Sequence, residues 1–118
     1  MTLLIPKPVI IRDPKHLRMV RQLPCCLSLH THGVEAHHLL RVPGHEKCMG
    51  RKSGDNWCIP LRCDLHRKLH DGRDDERVFL ANYDMNGVEL AKQLWALTEQ
   101  GLEADEWLEE GRRIVEDG

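Results

Sequence analysis

Apolar residues recur along this chain with two different periods. Toward the C-terminus the period is helical. In residues 86–101, NGVELAKQLWALTEQG, Val88, Ala91, Leu94 and Trp95 fall on one face. In residues 103–118, EADEWLEEGRRIVEDG, Trp107, Leu108, Ile114 and Val115 repeat that arrangement. The preceding DDERVFLANY opens with acidic residues, as a helix N-terminus prefers. The first half is more broken. IPKPVIIRDP reads as an extended, proline-punctuated arm. DPKHLRMVRQLP predicts a short helix: Asp13 can cap it, Pro14 suits its first turn and Pro24 ends it. GVEAHHLL is strand-like and NWCIPL is a second short strand, with the long loop RVPGHEKCMGRKSGD between them. RCDLHRKLHDG predicts a helix closed by Gly72. The expected order is arm, helix, strand, loop, strand, helix, then two or three packing helices. There is no internal repeat and no low-complexity segment.

The 118 residues predict a single domain. With only 4% aromatic residues, a small helix-rich fold stapled by a metal is the expectation. No apolar run approaches the ~18 residues of a membrane span. MTLLIPKPVII lacks the basic start of a signal peptide, so a cytoplasmic location is expected. In that setting the five cysteines read as metal ligands or free thiols before disulfides, and their odd number argues the same way.

The net charge of −2 hides a split. Residues 1–70 carry 12 Lys and Arg against 5 Asp and Glu, or +7, whereas residues 71–118 carry 5 against 14, or −9. All eight histidines and all five cysteines lie in the basic part. The chemistry is therefore expected there, next to a surface suited to a polyanion. The acidic part reads first as solvated helix faces, with a mask or a protein-partner surface as the sharper alternative.

Two histidine pairs stand out. His37 and His38 are neighbours, and neighbours in a strand point to opposite faces unless the strand end frays. His66 and His70 are four apart, which stacks both rings on one helix face, where they can share a divalent ion. An HxxxH spacing alone is weak. The combination is more specific: a doubled histidine ends one strand, Asp55 opens the next, and two histidines follow on a helix.

This layout resembles the ββα-metal site of the HNH endonuclease superfamily, and more closely the small phage and prophage Ref-like nucleases. The resemblance is carried by Leu23-Pro24-Cys25, His37-His38-Leu39, Gly50-Arg51-Lys52 with Asp55, Ile59-Pro60-Leu61, and His66 with His70. It runs from Lys7 to about Leu97. It implies His38 as general base, with His37, His66 and His70 as metal ligands. Asp55 would stand where HNH enzymes often carry asparagine and brace the base, with Asn56 as the alternative. The chain departs from the family pattern in two places. Arg62 takes a position where a cysteine is expected, with Cys63 one residue later, and Leu65 replaces the first helix histidine. A structural zinc drawn from Cys25 or Cys26, His30 and Cys63, with His32 as a further donor, is a second candidate site. Cys58, on an apolar strand, reads as a buried thiol, and His16 and His45 as surface residues. Arg51 and Lys52, extended by Arg41, Arg62, Arg67 and Lys68, are phosphate-contact candidates. For each taken alone a solvated cation is the better explanation, and the basic loop beside an acid–histidine site shifts the balance.

The expectation is a single-domain α+β protein with an HNH-like ββα-metal core over residues 25–72. An arm and helix over 1–24 would precede it and an acidic helical extension over 73–118 would follow. The function implied is a metal-dependent DNA endonuclease or nickase using one Mg2+ or Mn2+, with Zn2+ or Ni2+ also suited to histidine ligands. Phage or prophage origin and an association with recombination follow from the same resemblance. The rival is a non-catalytic, zinc-stabilised DNA-binding or recombination accessory module.

Overall fold

The computed structural model describes residues 10–43, 53–72 and 75–117. Among these are five α-helices and one two-stranded antiparallel sheet. In chain order they are α1 (Pro14–Val20), β1 (Val34–His38), β2 (Cys58–Arg62), α2 (Cys63–Asp71), α3 (Glu76–Ala81), α4 (Gly87–Glu99) and α5 (Ala104–Asp117). The α+β class and the element order match the expectation.

Local signals account for most element ends. Asp13 caps α1, its carboxylate accepting from His16 N–H at 3.0 Å, and Pro14 sits in the first turn. The helix ends at Val20, short of Pro24, because the next N–H groups tighten into turns onto Met19 and Val20. Asn86 caps α4 and Asp75 caps α3. Gly72 does follow α2, but at φ −74° it closes the helix without a left-handed turn. The second strand begins at Cys58 rather than Asn56, since Asp55–Trp57 form one 3-10 turn.

The sheet is short. Val34 pairs with Arg62, Ala36 with Pro60, His37 with Ile59 and His38 with Cys58. Pro60 is tolerated because it faces away from β1. Its carbonyl accepts from Cys26 N–H at 2.9 Å on the outer side, so its missing N–H interrupts no ladder bond. A two-stranded sheet is marginal alone, and here helices cover it. Leu90, Ala91, Leu94 and Leu97 of α4 are buried, together with Trp107 and Val115 of α5 and Leu39, Ile59 and Leu61 of the sheet region. The buried stripe of α4 is thus centred on Leu90, Leu94 and Leu97, with Val88 and Trp95 half-buried at its borders. α5 packs on α4 and α1.

His16 is not a surface residue. It is 2% exposed, edge-on to Trp95 and Trp107 at 5.0 and 5.7 Å between ring centres, with Nδ1 2.6 Å from Thr98 Oγ1. Trp107 Nε1–H donates to the same oxygen at 3.0 Å. Burial pushes the His16 pKa down, against the opposing charges of Asp13 and Asp55.

The N-terminal segment is clamped to the turn before β2. Asp55 N–H donates to Ile11 O at 2.8 Å, and Asp13 N–H donates to Asp55 Oδ2 at 2.6 Å. Gly54 permits this approach: a Cβ there would lie 3.0 Å from Ile11 N and 3.2 Å from Ile11 O. Gly54→Ala should therefore push the segment off its seat and cost about 1–3 kcal/mol, as overpacking typically does. Urea unfolding reads this directly, and an unchanged midpoint would show that the clamp contributes nothing.

Candidate metal centre and histidine–aspartate pair

The end of β1 carries both central histidines, and strand alternation sends them to opposite faces. His37 faces α2. Its Nδ1 lies 3.0 Å from His66 Nε2, and its ring centre is 4.8 and 5.6 Å from those of His66 and His70. The i, i+4 spacing on α2 brings His66 and His70 together at 4.7 Å, while Leu69 on the flank of that face is buried. Ligand atoms of His37, His66 and His70 all lie within 4.8 Å of one another.

This donor set fits a divalent ion. Tetrahedral zinc with nitrogen ligands sets an N···N separation of about 3.3 Å, close to that between His37 and His66. The far nitrogens are oriented as a metal site requires. His37 Nε2–H donates to Glu76 Oε2 at 2.7 Å, which leaves the Nδ1 lone pair for the ion. His66 Nδ1 lies 3.4 Å from Glu35 Oε1. Burial lowers the pKa of His66, with its neighbours His37 and His38 adding to this against Glu35, a direction that favours the neutral ring an ion needs.

Glu76 was not among the residues singled out from sequence. It is 5% exposed, and both its oxygens also accept from Leu40 N–H at 3.0 Å. A signal for it exists: Glu76 shares the apolar stripe of α3 with Phe79 and Leu80, at i, i+3 and i+4. An acid on a buried stripe needs a partner.

His38 takes the other face. Its Nε2 lies 2.8 Å from Asp55 Oδ1, with the imidazole 20% and the carboxylate 4% exposed. Asp55, rather than Asn56, holds the ring. Burial pushes the Asp55 carboxyl up, but the hydrogen bond from His38, the Asp13 N–H and the charges of His38 and Arg12 outweigh it and hold the pKa below its ordinary 3.8. Cys58, opposite His38 in the register, joins this group, and its thiol is pushed up to about 12 by burial and then by Asp55.

Among the described residues, the cysteine-rich zinc candidate is not one of the two groups whose ligand atoms all lie within 4.8 Å of one another: neither includes Cys25, Cys26, His30, His32 or Cys63. Cys25 is fully buried, its sulfur accepting from Arg62 N–H at 3.3 Å, and burial pushes the Cys26 thiol up to about 12. Cys63 and His30 are exposed. The two neighbouring thiols, Cys25 and Cys26, lie in the hydrophobic core.

Of the basic candidates, Arg67 and Lys68 are exposed on α2, and Arg41 is half-exposed and paired with Asp75 at 3.2 Å. Arg62 is half-buried beside Asp64. Arg51, Lys52, Cys48 and His45 lie outside the described residues. A cavity of about 470 Å³ lies beside Glu76, floored by Leu39, Leu80 and Met85 and rimmed by Arg41 and Arg77. No histidine lines it.

Residues 1–97 match a family described as a protein of unknown function, DUF968. The chain belongs to that family. The DUF968 span contains both donor groups and Glu76, while α5 lies beyond it. No curated protein and no solved structure matches the chain. No helix among the described residues is long and apolar enough to cross a membrane.

Two outcomes test this geometry. Glu76→Gln keeps the shape but loses the charge behind His37, so Mn2+ or Zn2+ affinity by calorimetry should fall about 10–100-fold. Unchanged affinity would separate Glu76 from ion binding. The lowered Asp55 carboxyl contributes stability that is present above the ordinary 3.8 and lost as pH falls through the lower folded value. The stability gap between wild type and Asp55→Asn, from urea unfolding, should therefore narrow between pH ~4 and ~2. A constant gap would mean that the ionised carboxylate is not what His38 and Asp13 stabilise.

Proposed function

We propose that the chain is a metal-dependent DNA endonuclease or nickase that hydrolyses phosphodiester bonds with His38 as general base. One observation carries this reading: His38 stands outside the three-histidine donor group, in a hydrogen bond to its own carboxylate. A closed structural site would use four protein ligands, whereas three ligands leave a position open to substrate or water. The resemblance to HNH nucleases supports the same roles.

The chain's own groups then act as follows. Asp55 accepts from His38 Nε2–H, which fixes the tautomer and leaves the Nδ1 lone pair to take a proton from water. The water oxygen attacks phosphorus, and the P–O3′ bond breaks to leave 3′-hydroxyl and 5′-phosphate ends. The imidazolium that forms is stabilised by Asp55, as the carboxylate does in other histidine–carboxylate pairs. Backbone N–H of Asp13 holds Asp55 in place, so the base is preorganised. A divalent ion on His37, His66 and His70 would supply charge neutralisation at the scissile phosphate. An all-imidazole donor set suits Zn2+ or Ni2+ better than Mg2+, with Mn2+ between. Arg67, Lys68 and Arg41 supply backbone phosphate contacts.

Plasmid nicking across Mg2+, Mn2+, Zn2+, Ni2+ and chelator tests the proposal, with His38→Ala alongside. Cleavage should need the ion and fall about 10²–10⁴-fold in the variant. Ion and DNA binding by the variant should be nearly unchanged. Loss of the ion in His38→Ala would make His38 a ligand and end its assignment as base. No cleavage with any ion, with zinc retained by the protein, would favour the accessory module.

A further inference from the structure

The second donor group has chemistry that the hydrolytic reading does not use. We propose that His38, Asp55 and Cys58 form a separate site for a soft divalent ion such as Zn2+ or Cd2+, and that its occupation silences His38. The silencing rests on the nuclease reading; the binding does not.

The argument begins with the register. His38 and Cys58 are directly paired across the two strands, so their side chains share one face. Asp55, in the 3-10 turn leading into β2, closes the third side. The ligand atoms of the three lie within 4.8 Å of one another, and none belongs to the three-histidine group. Asp55 divides its oxygens: Oδ2 accepts from Asp13 N–H at 2.6 Å, while Oδ1 meets only His38 among its described hydrogen bonds. That oxygen can therefore exchange the His38 proton for an ion without losing its anchor. Approach is from the side of His38, the one partly exposed member beside a fully buried Cys58 and a buried Asp55.

One nitrogen, one oxygen and one sulfur make a donor set that zinc and cadmium accept and magnesium does not. The proton balance is simple. Binding releases the Cys58 thiol proton to solvent. The ion takes the Nε2 lone pair, so the single proton of the neutral imidazole moves to Nδ1. Nδ1 then has no lone pair with which to accept a proton from water. An ion at the three histidines would support cleavage, whereas a soft ion at this second site would stop it.

Reduced, metal-free protein titrated with 113Cd2+ and followed by cadmium NMR reads the binding. Wild type should give one resonance typical of nitrogen ligation and one shifted by a thiolate, with coupling from the shifted signal to the His38 ring. Cys58→Ser, or Cys58→Ala if the serine variant does not fold, should lose only the shifted signal, and Cys63→Ser should keep both. Coupling to another histidine, persistence of the signal without Cys58, or its absence from wild type overturns the site. For silencing, Zn2+ is added to Mn2+-supported nicking, each protein scored against its own zinc-free rate. Half-inhibition in Cys58→Ser should need at least the roughly tenfold more zinc that even an outer-shell partner is worth. Equal inhibition in both overturns the silencing. Absence of nicking altogether overturns it together with the nuclease reading, while the cadmium spectrum still decides the binding.

Discussion

The end of β1 imposes the constraint on which the rest of the site depends. A strand alternates its side chains, so two adjacent histidines cannot enter one pocket while the ladder continues through them. It does continue: His38 pairs with Cys58, and Leu39 N–H still donates to Trp57 O at 3.0 Å. His37 is therefore sent to the helix side and His38 to the turn side. Each ring meets a buried carboxylate there, Glu76 or Asp55. A buried carboxylate is costly unless paired, so each pair orients its ring and also requires it. Two residues one position apart thus acquire different chemistry from one geometric rule.

The scaffold that holds these pairs is thin, and its parts are drawn from distant stretches of chain. Glu76 reaches back 39 positions to His37, and Asp13 reaches forward 42 to Asp55. Between them, α4 packs across the Asp55–Trp57 turn and β2, and α2 leaves β2 directly at Cys63. The Ile11–Asp13 segment, β1, the turn before β2, α2 and the start of α3 must all be seated before either histidine is fixed. Folding and site assembly are therefore one process here. Distortion at Gly54 would reach His38 through Asp55, the next residue, whose carboxylate meets that ring.

A donor group of three histidines with an oriented fourth standing apart is what supports hydrolysis over a purely structural role. The proximity of Cys58 adds a second chemistry to the same strand pair. On the proposed reading, two ions would then act on opposite faces of β1, one at the three histidines and one on His38. The acidic C-terminal helix α5 serves the core through Trp107, Gly111 and Val115, and its charged residues lie mostly on its exposed side.

Sequence alone determined the features that depend on neighbours along the chain. The amphipathic stripes of α4 and α5, the caps at Asp13 and the acidic start of α3, and the i, i+4 pairing of His66 with His70 all follow from local periodicity and capping. The order of strands and helices followed from placing those elements in sequence, whereas the grouping of His37 with His66 and His70 was implied by the resemblance to HNH nucleases. Tertiary structure decided what depends on partners dozens of residues away. Nothing local shows that Glu76, rather than Asp75 before it, turns inward to His37, or that Asp55 rather than Asn56 meets His38. Nothing local buries His16 between Trp95 and Trp107, or hides the Cys25 and Cys26 thiols while leaving Cys63 and His30 exposed. A polar side chain's role is set by which distant group satisfies it once water is excluded, and only the packed chain makes that choice.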